Sequence, residues 1–222
     1  MDFISGQRDG IWHWRASRGG VEIWFAGKGS RGGREAVLRR LVPKAAETAW
    51  LEQVHSATVL EARAGANAAG DALITDRRQL ALAVVTADCV PVLLAGPRRI
   101  AAIHAGWRGL AQSILRVTVD RFESPAKVSA WIGPAIGPCC YEVGSEVAEK
   151  VSRVSSQKVV VDGGHGRPHL DLVAAARLQL ERLGVREAHS VDACTRCDAG
   201  RLWSYRREGP GAGRNVSVIW RF

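Results

Sequence analysis

Two runs, LALAVVTADCVPVLLAG (80–96) and RRIAAIHAGW (98–107), constrain the fold more than any other feature because they are apolar almost without interruption. A strand with one face in water alternates apolar and polar residues. These runs do not, so they predict strands buried on both faces. DALIT (71–75) and VSAWIG (128–133) read the same way. Helical spacing is found in REAVLRRLV (34–42, stopped by Pro43), LAQSILRVTVDRF (110–122), EVGSEVAEKVSRV (142–154) and LDLVAAARLQLERLGV (170–185, with Gly184 as a C-terminal stop). Buried strands interleaved with helices predict an α/β architecture. WLEQVHSATVLEA (50–62) is expected to be β-like with His55 inside it, and 65–70 to be a turn. Trp12, Trp14, Trp24 and Phe25 suggest half-buried strands in a region punctuated by glycines such as Gly32, and NVSVIWRF (215–222) a last strand. No repeat or long linker divides the chain. One domain over 1–222 is expected.

The net charge of +9 raises the question of nucleic acid, because clustered Lys and Arg neutralise phosphates. Along the sequence the arginines are scattered in ones and twos, so a solvated basic surface and no nucleic-acid partner are expected. No segment approaches the roughly 18 unbroken apolar residues of a membrane span, and MDFISGQRDG lacks the pattern of a secretory signal. A cytoplasmic protein with no membrane partner is expected, and its five cysteines then suggest metal-binding or reactive thiols instead of disulfides. Cys194 and Cys197 form a C-x-x-C, but no second such pair accompanies it, and it is read as structural without metal. Cys139 and Cys140 are adjacent and, on extended chain, point to opposite faces. One of them is expected to be a small buried hydrophobe.

Polar residues interrupt the apolar runs where a plain core would not place them: His55 in LEQVHSATV, Asp88 and Cys89 in AVVTADCVPV, and His104 in AAIHAGW. Buried polar groups need partners, since each unpaired one costs about 1–3 kcal/mol. Two imidazoles and a thiol satisfy one another by holding one metal ion, and three protein ligands with an open fourth position mark a catalytic zinc site. Each residue taken separately reads more readily as a satisfied core histidine or an inert buried thiol. Gly106 and Gly109 flank Arg108, an arrangement that suits a phosphate or carboxylate approaching the backbone and equally a solvated turn.

The segments EQVHSATV, GDALIT, TADCVPVLL, HAGWRG, IGPAIGPCCYEVG, CTRCDAGRLWSYRREG and GRNVSVI, in that order, resemble the laccase-domain proteins, described both as polyphenol oxidases and as purine nucleoside phosphorylases with adenosine deaminase activity. The resemblance implies mixed β-sheets sandwiched by helices, similar to the catalytic domain of the cytotoxic necrotizing factors. It also implies a metal triad on His55, Cys89 and His104. The implied activities are phosphorolysis of adenosine, inosine, guanosine and 5′-methylthioadenosine, and deamination of adenosine. Purine nucleosides and phosphate are then the expected partners, and a monomer the expected state. The stretch before Trp50 departs from the family pattern, Ser56 replaces a usual glycine, and Arg196 stands where an aromatic is common.

Deamination at C6 needs an activated water and a proton carrier; zinc lowers the pKa of a water it binds to about 7. Asp88, Cys89 and Arg108 are the expected catalytic residues. Asp88 is the general acid/base, or else orients a ligand, and Arg108, with Gly106, contacts substrate and holds phosphate. Two other readings compete. A copper-dependent phenol oxidase is chemically weaker in a chain with six histidines, because multicopper sites need many. The other is a cell-wall editing or partner protein without nucleoside turnover.

Overall fold

The structure is a computed structural model that describes residues 3–29, 33–44, 46–163 and 166–222; Gly32 lies outside them. The first strands are β1 (Ile4–Arg8), β2 (Ile11–Arg18) and β3 (Val21–Ala26), followed by helix α1 (Gly33–Leu41). Next come β4 (Glu47–Glu52), β5 (Val59–Glu61), β6 (Gly65–Ala69), β7 (Ala72–Thr75), β8 (Leu80–Thr86), β9 (Val90–Ala95) and β10 (Ile100–Ala105). Helices α2 (Trp107–Ala111) and α3 (Ile114–Val119) lead to β11 (Ser129–Ile132) and α4 (Ser145–Val154). The remainder comprises β12 (Val160–Asp162), β13 (Pro168–Leu170), α5 (Leu172–Arg182), β14 (Glu187–Ser190), α6 (Tyr205–Glu208) and β15 (Asn215–Arg221).

Two mixed sheets carry the fold, one ordered β1-β2-β3-β15-β8-β4-β6 and the other β14-β11-β9-β10-β7-β5. Strand parity explains how they stack. Leu80, Leu82 and Val84 of β8 share a core with Leu93 of β9, Ile100 and Ala102 of β10, and Trp131 of β11, so this core lies between the sheets. The opposite residues of the second sheet, such as Val92, Leu94, Ala101 and Ile103, pack with apolar residues of α3 and α5. Ala81, Ala83 and Val218 of the first sheet pack on Val37, Leu38 and Leu41 of α1. Two mixed sheets between helical layers result, and the central runs are apolar on both faces because one face meets a sheet and the other helices.

Three local expectations are corrected. Residues 53–58 are loop, and His55 has φ of +60° there, because the Asp71 carboxylate takes the backbone N–H groups that a strand would give to its neighbour. Residues 65–69 form the edge strand β6, parallel to β4, although they look like a turn; Asn67 Nδ2 donates to the carbonyls of Trp50, Arg63 and Gly65 and ties the segment in place. The helix expected over 110–122 begins at Trp107 and breaks at Ser113, whose φ of +62° cannot continue it.

Candidate metal centre and its cleft

The loop between β4 and β5, the β8–β9 turn and the corner from β10 into α2 converge at one end of the sandwich. They bring together His55, Cys89 and His104, whose ligand atoms all lie within 4.8 Å of one another. His104 is buried, Cys89 half-buried and His55 exposed, so the group opens toward solvent on one side. His104 has the parity of Ile100 and Ala102 on β10 and therefore faces the inter-sheet layer, where Asp71 waits.

Asp71 is fully buried and organises the centre. One carboxylate oxygen, Oδ1, accepts from His104 Nδ1 at 2.7 Å and from the backbone N–H of His55 at 3.0 Å. The other, Oδ2, accepts from the backbone N–H and hydroxyl of Ser56 at 2.5 and 2.8 Å. A carboxylate on Nδ1 fixes the imidazole's tautomer and turns Nε2 toward the site. Sequence reasoning missed this residue, although the argument used for Asp88, a carboxylate beside an apolar strand, applies to it equally.

The charges of the group depend on one another. Burial pushes the Asp71 carboxyl up, but the hydrogen bonds from His104 and Ser56 outweigh it and hold its pKa at about 2. Burial likewise opposes ionisation of Cys89, and the two imidazoles overcome it, bringing the thiol to about 7. For His104, burial disfavours the imidazolium, yet Asp71 and Cys89 raise it to about 9. The anionic surroundings that hold a proton on His104 also attract a metal cation.

The donor set and the space fit a single zinc or copper ion. Imidazole nitrogen and thiolate suit both metals. A Cβ at Gly106 would lie 3.0 Å from both Cys89 Sγ and His55 Nδ1, so glycine leaves the gap between the donors open.

Beside the centre is a cleft of about 620 Å³ whose lining includes His55, Cys89, Arg108, Tyr141 and Arg206. That volume suits a small organic ligand. Asp88 also lines it, with a backbone φ of +96°. Its Oδ1 accepts from the Thr195 hydroxyl at 2.6 Å and its Oδ2 from the backbone N–H of Arg206 at 2.7 Å. Arg108 is exposed on α2, its guanidinium 4.5 Å from the centre of the Trp107 ring, and no carboxylate among the described residues pairs with it. The Tyr141 hydroxyl is pushed up to about 12 by burial and by the nearby Cys89 charge, so it stays a proton donor at neutral pH.

The model of the family described as "multi-copper polyphenol oxidoreductase laccase" matches residues 31–222. The chain belongs to this family. "Purine nucleoside phosphorylase YfiH" of Escherichia coli is 40% identical over 177 residues, 77% of this chain and 72% of that one. "Purine nucleoside phosphorylase PA4543" of Pseudomonas aeruginosa is 38% identical over 77% of this chain and 73% of its own. The crystal structure of YlmD from Geobacillus stearothermophilus superposes with a TM-score of 0.86 at 27% identity, covering 99% of each chain. The laccase-family match begins at residue 31 and thus contains every residue of the triad and every residue that lines the cleft.

The cysteines need correcting. Residues 137–141 form a turn, in which the Cys140 and Tyr141 N–H groups both donate to the Gly137 carbonyl, so the adjacent thiols are not forced to opposite faces. Both reach Cys197: its Sγ is 3.7 Å from that of Cys139 and 3.3 Å from that of Cys140. Neither is a fully buried hydrophobe. The C-x-x-C therefore does have a second pair, supplied by the neighbouring loop. Among the described residues no helix is long and apolar enough to cross a membrane.

Proposed function

We propose that the cleft binds a purine nucleoside and inorganic phosphate and catalyses phosphorolysis, with adenosine, inosine, guanosine and 5′-methylthioadenosine as substrates and adenosine deamination as a second activity. The observation that carries this reading is Arg108, an arginine with no acidic partner among the described residues, beside a metal-ligand triad in a nucleoside-sized cleft. The names of the relatives point the same way.

Zinc is the ion proposed, held by His55, Cys89 and His104, and it supplies Lewis acidity beside the substrate. The chain's own groups do the rest. Arg108 holds phosphate through two parallel N–H donors, keeping an oxygen aimed at the anomeric carbon C1′. As that oxygen forms its bond to C1′, the C1′–N9 bond breaks and its electron pair stays on the purine, which leaves protonated. The Tyr141 hydroxyl is a donor available for it. Gly106 lets ligand approach the backbone. Asp88 has each oxygen already accepting a hydrogen bond, an arrangement suited to positioning Thr195 and Arg206 more than to carrying protons. A cytoplasmic monomer is part of the same reading.

Inosine tests it, because it has no C6 amino group and deamination cannot contribute. Hypoxanthine release is expected only when phosphate is present. Equal release without phosphate would make the protein a hydrolase, and none at all from zinc-loaded protein would sink nucleoside turnover in favour of phenol oxidation with copper or a non-catalytic role. In the same assay Arg108→Ala is expected to lose phosphorolysis far more than adenosine deamination, and Lys at 108 to restore little of it.

A further inference from the structure

A second cluster of metal-ligating side chains lies on the two loops that carry Tyr141 and Thr195. The thiols of Cys139, Cys140, Cys194 and Cys197 all lie within 4.8 Å of one another. Four thiolates around zinc sit about 2.3 Å from the ion, which places the sulfurs of a tetrahedron roughly 3.8 Å apart. The separations of 3.3 and 3.7 Å at Cys197 approximate that spacing and are far longer than an S–S bond of about 2.05 Å.

The surrounding chain is shaped to receive an anion-rich cluster. The backbone N–H of Gly137 donates to Cys194 Sγ at 3.2 Å, the kind of contact that orients a ligating thiolate. A side chain at Gly137 would begin 3.3 Å from both Cys139 Sγ and Cys194 Cβ, tighter than most such contacts, so glycine allows the two loops to approach. A single parallel bridge pairs Ala135 with Cys194 and holds the loops in register.

We infer that Cys139, Cys140, Cys194 and Cys197 form a second metal site, a closed tetrathiolate site for zinc distinct from the His55–Cys89–His104 centre. With four protein ligands it leaves no open position, so its role is structural. What it braces is the cleft. Tyr141 follows Cys140 directly; Thr195 follows Cys194 and holds Asp88; Asp88 in turn anchors the backbone of Arg206. One ion thus clamps the loop that presents Tyr141 to the loop whose Thr195 holds Asp88, and through Asp88 it steadies the backbone of Arg206 at the start of α6.

Metal counting by native mass spectrometry on protein purified with zinc under reducing conditions tests the inference. Two zinc ions per chain are expected in the unaltered protein. His55→Ala with His104→Ala should retain one, because the tetrathiolate is untouched, and Cys140→Ser with Cys197→Ser should retain the other. The His-to-Ala double variant still carrying one zinc supports the second site even if the open centre binds nothing. Loss of all zinc from that variant overturns it, as does an unchanged count in the Cys-to-Ser variant. Should the latter fail to fold, cobalt in the His-to-Ala variant decides: an intense thiolate-to-cobalt charge-transfer band supports four-sulfur ligation, and its absence rejects it. A disulfide between any of these four residues in the zinc-loaded protein also overturns the proposal.

Discussion

Asp71 concentrates several duties in one side chain. Its carboxylate orients His104, closes the loop that carries His55, and offsets the charge of any cation bound nearby. Asp71→Asn keeps the shape but removes the charge, and its amide group places a donor where two N–H groups now point. Zinc affinity at the triad is expected to fall about 10- to 100-fold, as for other carboxylates that orient a ligating histidine, while the protein still folds. Competition with a chromophoric chelator reads this, and an unchanged affinity would reduce Asp71 to a loop tie. The candidate ligands were legible in the sequence because a histidine or cysteine inside an apolar run has few ways to be satisfied. Asp71 was harder to see: it follows Gly70 at a strand start, where a carboxylate is ordinary, and its partners at 54–56 and 104 come close only in the folded chain. The pairing of Cys139 and Cys140 with the C-x-x-C was hidden for the same reason, since 137–141 shows itself as a turn only through its hydrogen bonds.

The central strands were readable from their doubly apolar runs, whereas elements held by side chains were not. Strand β6 consists of Ala, Gly and Asn, residues with little β preference, and depends on Asn67 for its place. Where the two sheets meet, fit is close: a Cβ at Gly133, just beyond β11, would sit 2.4 Å from the Phe25 ring of β3 and 2.8 Å from Pro91 Cγ. Gly133→Ala must push a buried aromatic ring aside. A loss of about 1–3 kcal/mol is expected, the range typical of overpacked cores. Urea unfolding measures it; stability within about 0.5 kcal/mol of the original would mean that β3 and β11 can slide apart freely.

At the scale of the molecule, the scatter of arginines along the sequence conceals where they gather. Arg34, Arg108, Arg206 and Arg214 all line the cleft, and Asp88 is its one carboxylate among the described residues. On a chain of net charge +9 this concentrates positive potential at the cleft, where the proposed phosphate co-substrate would enter. Raising ionic strength from about 0.05 to 0.5 M shortens the screening length from over 10 Å to a few ångströms. The kcat/KM for phosphate is therefore expected to fall several-fold while that for the uncharged nucleoside changes little. Parallel decline of both would place the arginines in a structural role.

The pairing of β15 with β3 on one side and β8 on the other has a bearing on the time course of biosynthesis. The first sheet cannot close until residue 221 has left the ribosome, because its middle strand, β15, is made after the other six. Residues 55–106, by contrast, contain His55, Asp71, Cys89, His104 and the antiparallel β7-β10-β9 pairing in one contiguous stretch. The ligands of the candidate metal centre are thus translated together, before α3 and α5 that cover one face of their sheet and before β15 that completes the sheet on the other.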